Sequence, residues 1–144
     1  MSRIISFRGL LGDGVQERIS LTTRNGETGY RIVKFALIPN QPFNKTQESV
    51  LKIYKVEQTT VDGVVDFSEN TLLGVGAFKM HDTVNYMAFE HVIFDNEIFN
   101  QDIYITNYDA ATGESINYYI ELEQRDLALD EATVATLKDI RNND

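Results

Sequence analysis

The 144-residue chain contains no cysteine, which excludes disulfides, thiol nucleophiles and thiolate metal sites. Histidine is almost as scarce, with only His81 and His91, and proline occurs only as Pro39 and Pro42. No apolar run approaches the roughly 18–20 residues that a bilayer-spanning helix requires, so no membrane partner is expected. The opening Met1-Ser2-Arg3-Ile4-Ile5-Ser6-Phe7-Arg8 has neither the longer apolar stretch nor the small-residue cleavage site of a secretory signal. Export is therefore not expected, and Asn44-Lys45-Thr46 reads as an incidental sequon. Positive charge is also in short supply: 13 Lys and Arg against 22 Asp and Glu, a net charge of −9. The deficit is lopsided. Residues 1–72 hold nine basic and eight acidic side chains (+1), and residues 73–144 hold four and fourteen (−10). An acidic surface repels phosphate, so direct nucleic-acid binding is not expected. The asymmetry suits either a solvated acidic half or two faces that meet complementary faces of a partner or of neighbouring copies.

What is present is a chain suited to sheet pairing. Hydrophobic residues make up 42% and charged residues 24%, ordinary for a single domain with its own core. Ile4–Phe7 is a short extended segment before the glycines at 9, 12 and 14. Residues 17–22 alternate with period two, Asn25-Gly26 follows, and residues 30–38 return until Pro39; Asn-Gly between such runs predicts a hairpin. Residues 50–56 form a third alternating run, with Leu51, Ile53 and Tyr54 as candidates for its inner side. Residues 72–78 read as a strand whose glycines, Gly74 and Gly76, permit a bulge or a close backbone approach. The more continuously apolar 86–94 reads as a central strand. Residues 103–106 and 116–123, rich in Tyr and Ile, read as a hairpin about an acidic turn at Asp109–Gly113 that faces water or a neighbouring subunit. Asp130 caps a predicted short helix within 130–141, with Val134, Leu137 and Ile140 on one narrow face. The expected architecture is a single all-β domain over 1–144: an antiparallel, jelly-roll-like β-sandwich of about eight strands with one short C-terminal helix.

Chemistry-bearing constellations are sparse, and enzymatic activity is not expected. His81 and His91 are separated by a predicted turn and need a third ligand, such as Glu90 or Asp95, to hold a metal. Asp95-Asn96-Glu97 is the dense oxygen cluster where a divalent ion would bind, yet the alternating Asp/Asn pattern of a calcium loop is absent. Glu121 and Glu123 lie two apart and share a solvent-facing side of a strand, which leaves both ionised and unsuited to acid–base work. Gly74-Val75-Gly76-Ala77-Phe78-Lys79 lacks the spacing and the following helix of a phosphate loop. Tyr104, Tyr108, Tyr118 and Tyr119 have only Arg125 near them in sequence, so packing accounts for them better than base stacking. No cofactor is expected.

Four segments carry a resemblance: Met1–Leu10, Phe94–Thr106, Asn117–Gln124 and Glu131–Arg141. Together they resemble small virion structural proteins of tailed phages, particularly phages of marine cyanobacteria and related hosts. The similarity covers the first ten residues and the last third, and the middle shares only the pattern. The resemblance implies a β-rich, non-enzymatic virion component present in many copies and assembled in the host cytoplasm. The most direct version is a capsid decoration or cement protein whose partners are the major capsid protein, other virion subunits and further copies of itself. The alternatives are a neck, tail or fibre-associated adaptor, or a free β-sandwich binding module for carbohydrate or protein. Residues 1–8 are either a core strand or an N-terminal arm reaching a neighbour. Arg3, Ile5, Phe7 and Arg8 are the candidate subunit contacts on that segment.

Overall fold

A computed structural model describes residues 2–21, 27–42, 46–81 and 89–127. Among these residues are eight strands: β1 (Ser2–Leu11), β2 (Val15–Ile19), β3 (Thr28–Pro39), β4 (Gln47–Tyr54), β5 (Leu72–Met80), β6 (Phe89–Phe94), β7 (Ile103–Asp109) and β8 (Ile116–Asp126). They form two antiparallel sheets, a three-stranded one in the order β1-β8-β3 and a five-stranded one in the order β2-β7-β4-β5-β6. The all-β sandwich is as the alternation predicts. The helix expected within 130–141 lies outside the described residues.

The pairings β1·β8, β2·β7 and β4·β5 are nested, as if one long antiparallel ribbon with its tip at β4–β5 had been rolled up. Rolling brings β3 against β8 and β4 against β7, the wrapped order of a jelly roll. The remaining rung, β3 with β6, is displaced. β6 stays hydrogen-bonded to β5, and only beyond it does Phe99 exchange two backbone hydrogen bonds with Tyr30 of β3, at 2.8 and 2.9 Å. The segment after β6 thus changes sheets and closes one corner of the sandwich.

Two expected hairpins are corrected by this topology. The runs on either side of Asn25-Gly26 do not pair, because β2 lies in one sheet beside β7 and β3 in the other beside β8. Likewise β7 and β8 belong to different sheets, so residues 110–115 form a corner between layers. Turn chemistry such as Asn-Gly signals a break between strands. It carries no information about which strand supplies the hydrogen bonds, and here the burial of both inner faces decides. The third correction concerns β6, read as central from its apolar run but lying at an edge of the five-stranded sheet.

β8 shows most simply why these residues make a sandwich. Ile116, Tyr118, Ile120 and Leu122 are buried, and the alternate Asn117, Tyr119, Glu121 and Glu123 face outward, the period-two signature of a sheet covered on one side. Opposite them, Leu51, Ile53, Ile103 and Ile105 of the second sheet complete the core. Gly76 is needed where the layers approach: a Cβ there would lie 2.6 Å from Cδ1 of Leu37 on β3.

Candidate functional site

Residues 2–11 are paired along their length with β8; the expected segment is therefore an edge strand of the domain. Its register separates the four candidate contacts. Ile5 lies opposite Leu122 and Phe7 opposite Ile120, and both are half-buried against the core. Arg3, on the same side of the strand, donates from Nε to Gln124 Oε1 at 3.1 Å. Arg8 points to the other side, opposite Tyr119. Of the four, Arg8 alone belongs to the outer face of the three-stranded sheet.

That outer face is built in rows by the register. Ile4, Glu123 and Arg31 form one row, Ser6, Glu121 and Lys34 the next, then Arg8, Tyr119 and Ala36, and finally Leu10, Asn117 and Ile38. The charges of the first two rows are engaged on the face itself. Arg31 pairs with Glu123 at 2.9 Å. Tyr119 donates its hydroxyl to Glu121 at 2.7 Å, and Lys34 Nζ sits 5.6 Å from the Tyr119 ring centroid. The Glu121 hydrogen bond, helped by partial desolvation and the carboxylate's charge, raises the Tyr119 pKa. The last two rows are different. They line a groove of about 440 Å³ among Arg8, Leu10, Ala36, Ile38, Asn117 and Tyr119, open because Ala36 sits low between taller neighbours. Leu10 is 50% and Ile38 61% exposed. A guanidinium beside exposed aliphatic side chains can bind a mixed apolar and acidic surface; it has no nucleophile or base to do chemistry with.

The residues considered for metal or acid–base chemistry are otherwise employed. His81 lies just beyond β5 with Nε2 3.9 Å from Glu48. His91, within β6, packs its ring 4.6 Å from that of Phe89. Asp95 Oδ1 accepts the Glu97 backbone N–H at 3.0 Å, and Glu97 pairs with the buried Lys55 at 3.0 Å. Among the described residues no group of three or more His, Asp or Glu is placed to hold a metal ion. Asp109 was expected at a solvated or subunit-facing tip, yet it is buried. Its Oδ1 accepts the backbone N–H of Glu48 at 2.8 Å and of Ala111 at 3.3 Å. Its Oδ2 accepts those of Glu114 at 2.6 Å and Thr112 at 3.4 Å. The carboxylate thus organises the corner between the sheets, and Gly113 supplies the positive φ of 79° that completes it.

Sequence patterning missed the covering of the second sheet. Lys52 points to the outer side of β4 yet is buried, because the connection from 55 to 71 folds over it. Its ammonium donates to Asp62 Oδ1 at 2.8 Å and to the Val64 carbonyl at 2.7 Å. Gln16 and Gln58 exchange two further hydrogen bonds beneath the same loop. An isolated lysine in an alternating strand gives no sign of such a lid. The second omission is apolar: Val64, Val65 and Phe67 of the loop, with Phe89, Ile93 and Phe94 of β6, are exposed. Nothing in a short apolar run separates an edge strand from a central one.

No protein-family model matches the chain, and no curated protein matches it in sequence. The fold defines its class as an antiparallel β-sandwich with jelly-roll strand order.

Proposed function

We propose that this chain is a non-enzymatic structural protein of a tailed-phage particle, a decoration or cement protein that adheres to the shell. The observation that carries this reading is the groove face of the three-stranded sheet, with Leu10 and Ile38 exposed around Arg8. It is a rigid, shallow surface on paired strands, suited to contact with another protein. The resemblance of both ends of the chain to phage virion proteins gives the partner its class, and a sandwich is a fold used in viral shells. A contact of standard size covers about 800 Å² per partner, near a tenth of this molecule's 8314 Å², so one sheet face suffices. Many weak contacts on a repeating lattice then hold by valency.

Co-sedimentation with purified shells tests the reading. The native chain is expected to pellet with the shells, and Arg8→Glu combined with Ile38→Lys is expected to weaken binding by roughly tenfold or more. Absence of the chain from virions by mass spectrometry would reject the proposal. Copy number against the major shell protein separates the two particle locations. Decoration requires copies on the order of hundreds, and a neck or tail adaptor roughly a dozen.

A further inference from the structure

We infer that the free edge of β6 is a self-association site, at which a second copy of this chain adds its own β6 antiparallel and joins the two five-stranded sheets into one. Among the described residues there are four edge strands, β1, β3, β2 and β6, and three of them carry several features that discourage strand addition. β1 bears Arg3 and Arg8. β2 is five residues long and carries Glu17 and Arg18. β3 has a register break between Ile32 and Lys34, ends at Pro39, and has Phe99 bridged to Tyr30. β6, Phe89-Glu90-His91-Val92-Ile93-Phe94, has no proline, no lysine or arginine and no bulge. Five of its six residues are exposed, with Phe89 at 48% and Ile93 at 54%, and Phe67 beside them at 66%. Its one charged residue is Glu90, and the exposed apolar side chains around it make this edge a template for another strand.

The occupant follows from the register. In an antiparallel pair, residues directly opposite each other share a face, so a two-fold axis must pass through a residue of β6 and not between two. β6 alternates, with Phe89, His91 and Ile93 on the outer side and Val92 packed inward opposite Gly76. With the axis at His91, Phe89 of each copy faces Ile93 of the other and Glu90 faces Val92. No carboxylate lies directly opposite another, and the outer row places a Phe89–Ile93 pair on either side of a central pair of His91 rings, flanked on β5 by Val75 and Ala77. Lys79, opposite Phe89 on β5, sits at each end of the seam, away from its counterpart. The crossing beyond Phe94 that takes Phe99 to β3 leaves residues 89–93 as the pairing length. In a molecule with a net charge of −9, this register sets each Glu90 directly opposite Val92 and leaves the two Glu90 side chains diagonal to each other.

Light scattering coupled to size exclusion tests the site across a dilution series. The native chain is expected to run at twice its 16.4 kDa mass and to dissociate on dilution. Ile93→Lys sets a charge against Phe89 of the partner twice per dimer and is expected to raise the dimer dissociation constant roughly 100-fold or more. Glu90→Pro, which interferes with strand pairing without adding charge, is expected to act likewise. Both variants change exposed residues, and an unchanged far-ultraviolet spectrum and melting curve would show that each still folds. A native chain monomeric at every concentration would overturn the inference, as would a dimer indifferent to both variants. So would a dimer abolished by Arg8→Glu, or a β6 protected from hydrogen exchange only when shell protein is added.

Discussion

Removing the Asp109 carboxylate is the sharpest test of how the corner between the two sheets is held. Asp109→Ala deletes two short hydrogen bonds, from the Glu114 N–H at 2.6 Å and the Glu48 N–H at 2.8 Å. It also deletes two long ones, from Ala111 at 3.3 Å and Thr112 at 3.4 Å. A hydrogen bond to a charged acceptor contributes about 1.5–3 kcal/mol, so the short pair alone sets an upper range near 6. Water reaches Glu114 and Thr112 once the side chain is gone and recovers part of this. The Glu48 N–H begins β4 beneath the corner and is rehydrated less readily, which brings the expected loss to about 3 kcal/mol. For a domain of this size that corresponds to a fall in Tm of roughly 6–12 °C. Asp109→Asn keeps one oxygen but turns an amine toward backbone donors, so its expected cost is intermediate, about 1–2 kcal/mol. Thermal melts followed by circular dichroism, with urea titration as a check on cooperativity, measure both. Ala110→Ser, exposed and one residue along, serves as control. An alanine variant within about 0.5 kcal/mol of the native protein would refute the reasoning and show that strand pairing alone sets the corner.

Other expectations follow from the packing of the two sheets. Gly76→Ala drives Leu37 from its rotamer and should cost about 1–3 kcal/mol, with much of the loss recovered when Leu37→Ala is added; additive losses in urea titration would contradict the 2.6 Å contact. Tyr118→Phe removes the hydrogen bond to Glu17 at 2.6 Å and should cost about 1 kcal/mol. Burial first, and then that bond, hold the Tyr118 phenol above its ordinary pKa of 10.0. Its contribution is therefore complete below that pH and lost as pH rises through the elevated value; tyrosinate absorbance in native and unfolded protein checks it. Asp62→Ala strips the buried Lys52 of its ion pair and should open the 55–71 loop to limited proteolysis, leaving the sandwich intact. The Lys52 hydrogen bond lowers the Asp62 pKa below 3.8. Protection of the loop should accordingly persist above that pH and fade as pH drops through the depressed value.

Much of the strand content was legible because the alternation is strong. Tyr118, Ile120 and Leu122 in register with outward Tyr119, Glu121 and Glu123 leave little choice of structure or of face. Gly76 was legible as a close approach, though not what approaches it. The candidate contacts at residues 3, 5, 7 and 8 fared differently. Their proximity in sequence says nothing of the pleat, which turns Arg8 out to the groove and Ile5 and Phe7 in to the core. Ala36, Ile38 and Asn117, which complete the groove, come from strands far away in the chain and carry no local mark of a site. Asp109 shows the same limit from the opposite direction. A carboxylate in a Gly-bearing turn is usually solvated. Here the turn's own Ala111, Thr112 and Glu114 N–H groups bind it, and the Glu48 N–H at the start of β4, distant in sequence, adds the fourth bond.

Composition and periodicity were enough to establish an acidic, cysteine-free β-sandwich with inner and outer residues in each strong strand, since both properties are local and repeat every two residues. Strand partners were beyond their reach: the runs flanking Asn25-Gly26 and Asp109–Gly113 pair elsewhere, β2 with β7 and β3 with β8. Pairing depends on which apolar faces can be buried together, a property of the whole chain. The same packing made Phe89–Phe94 an edge and not a centre, buried Lys52 beneath a loop, and gathered Arg8, Leu10, Ile38 and Tyr119 on one exposed face.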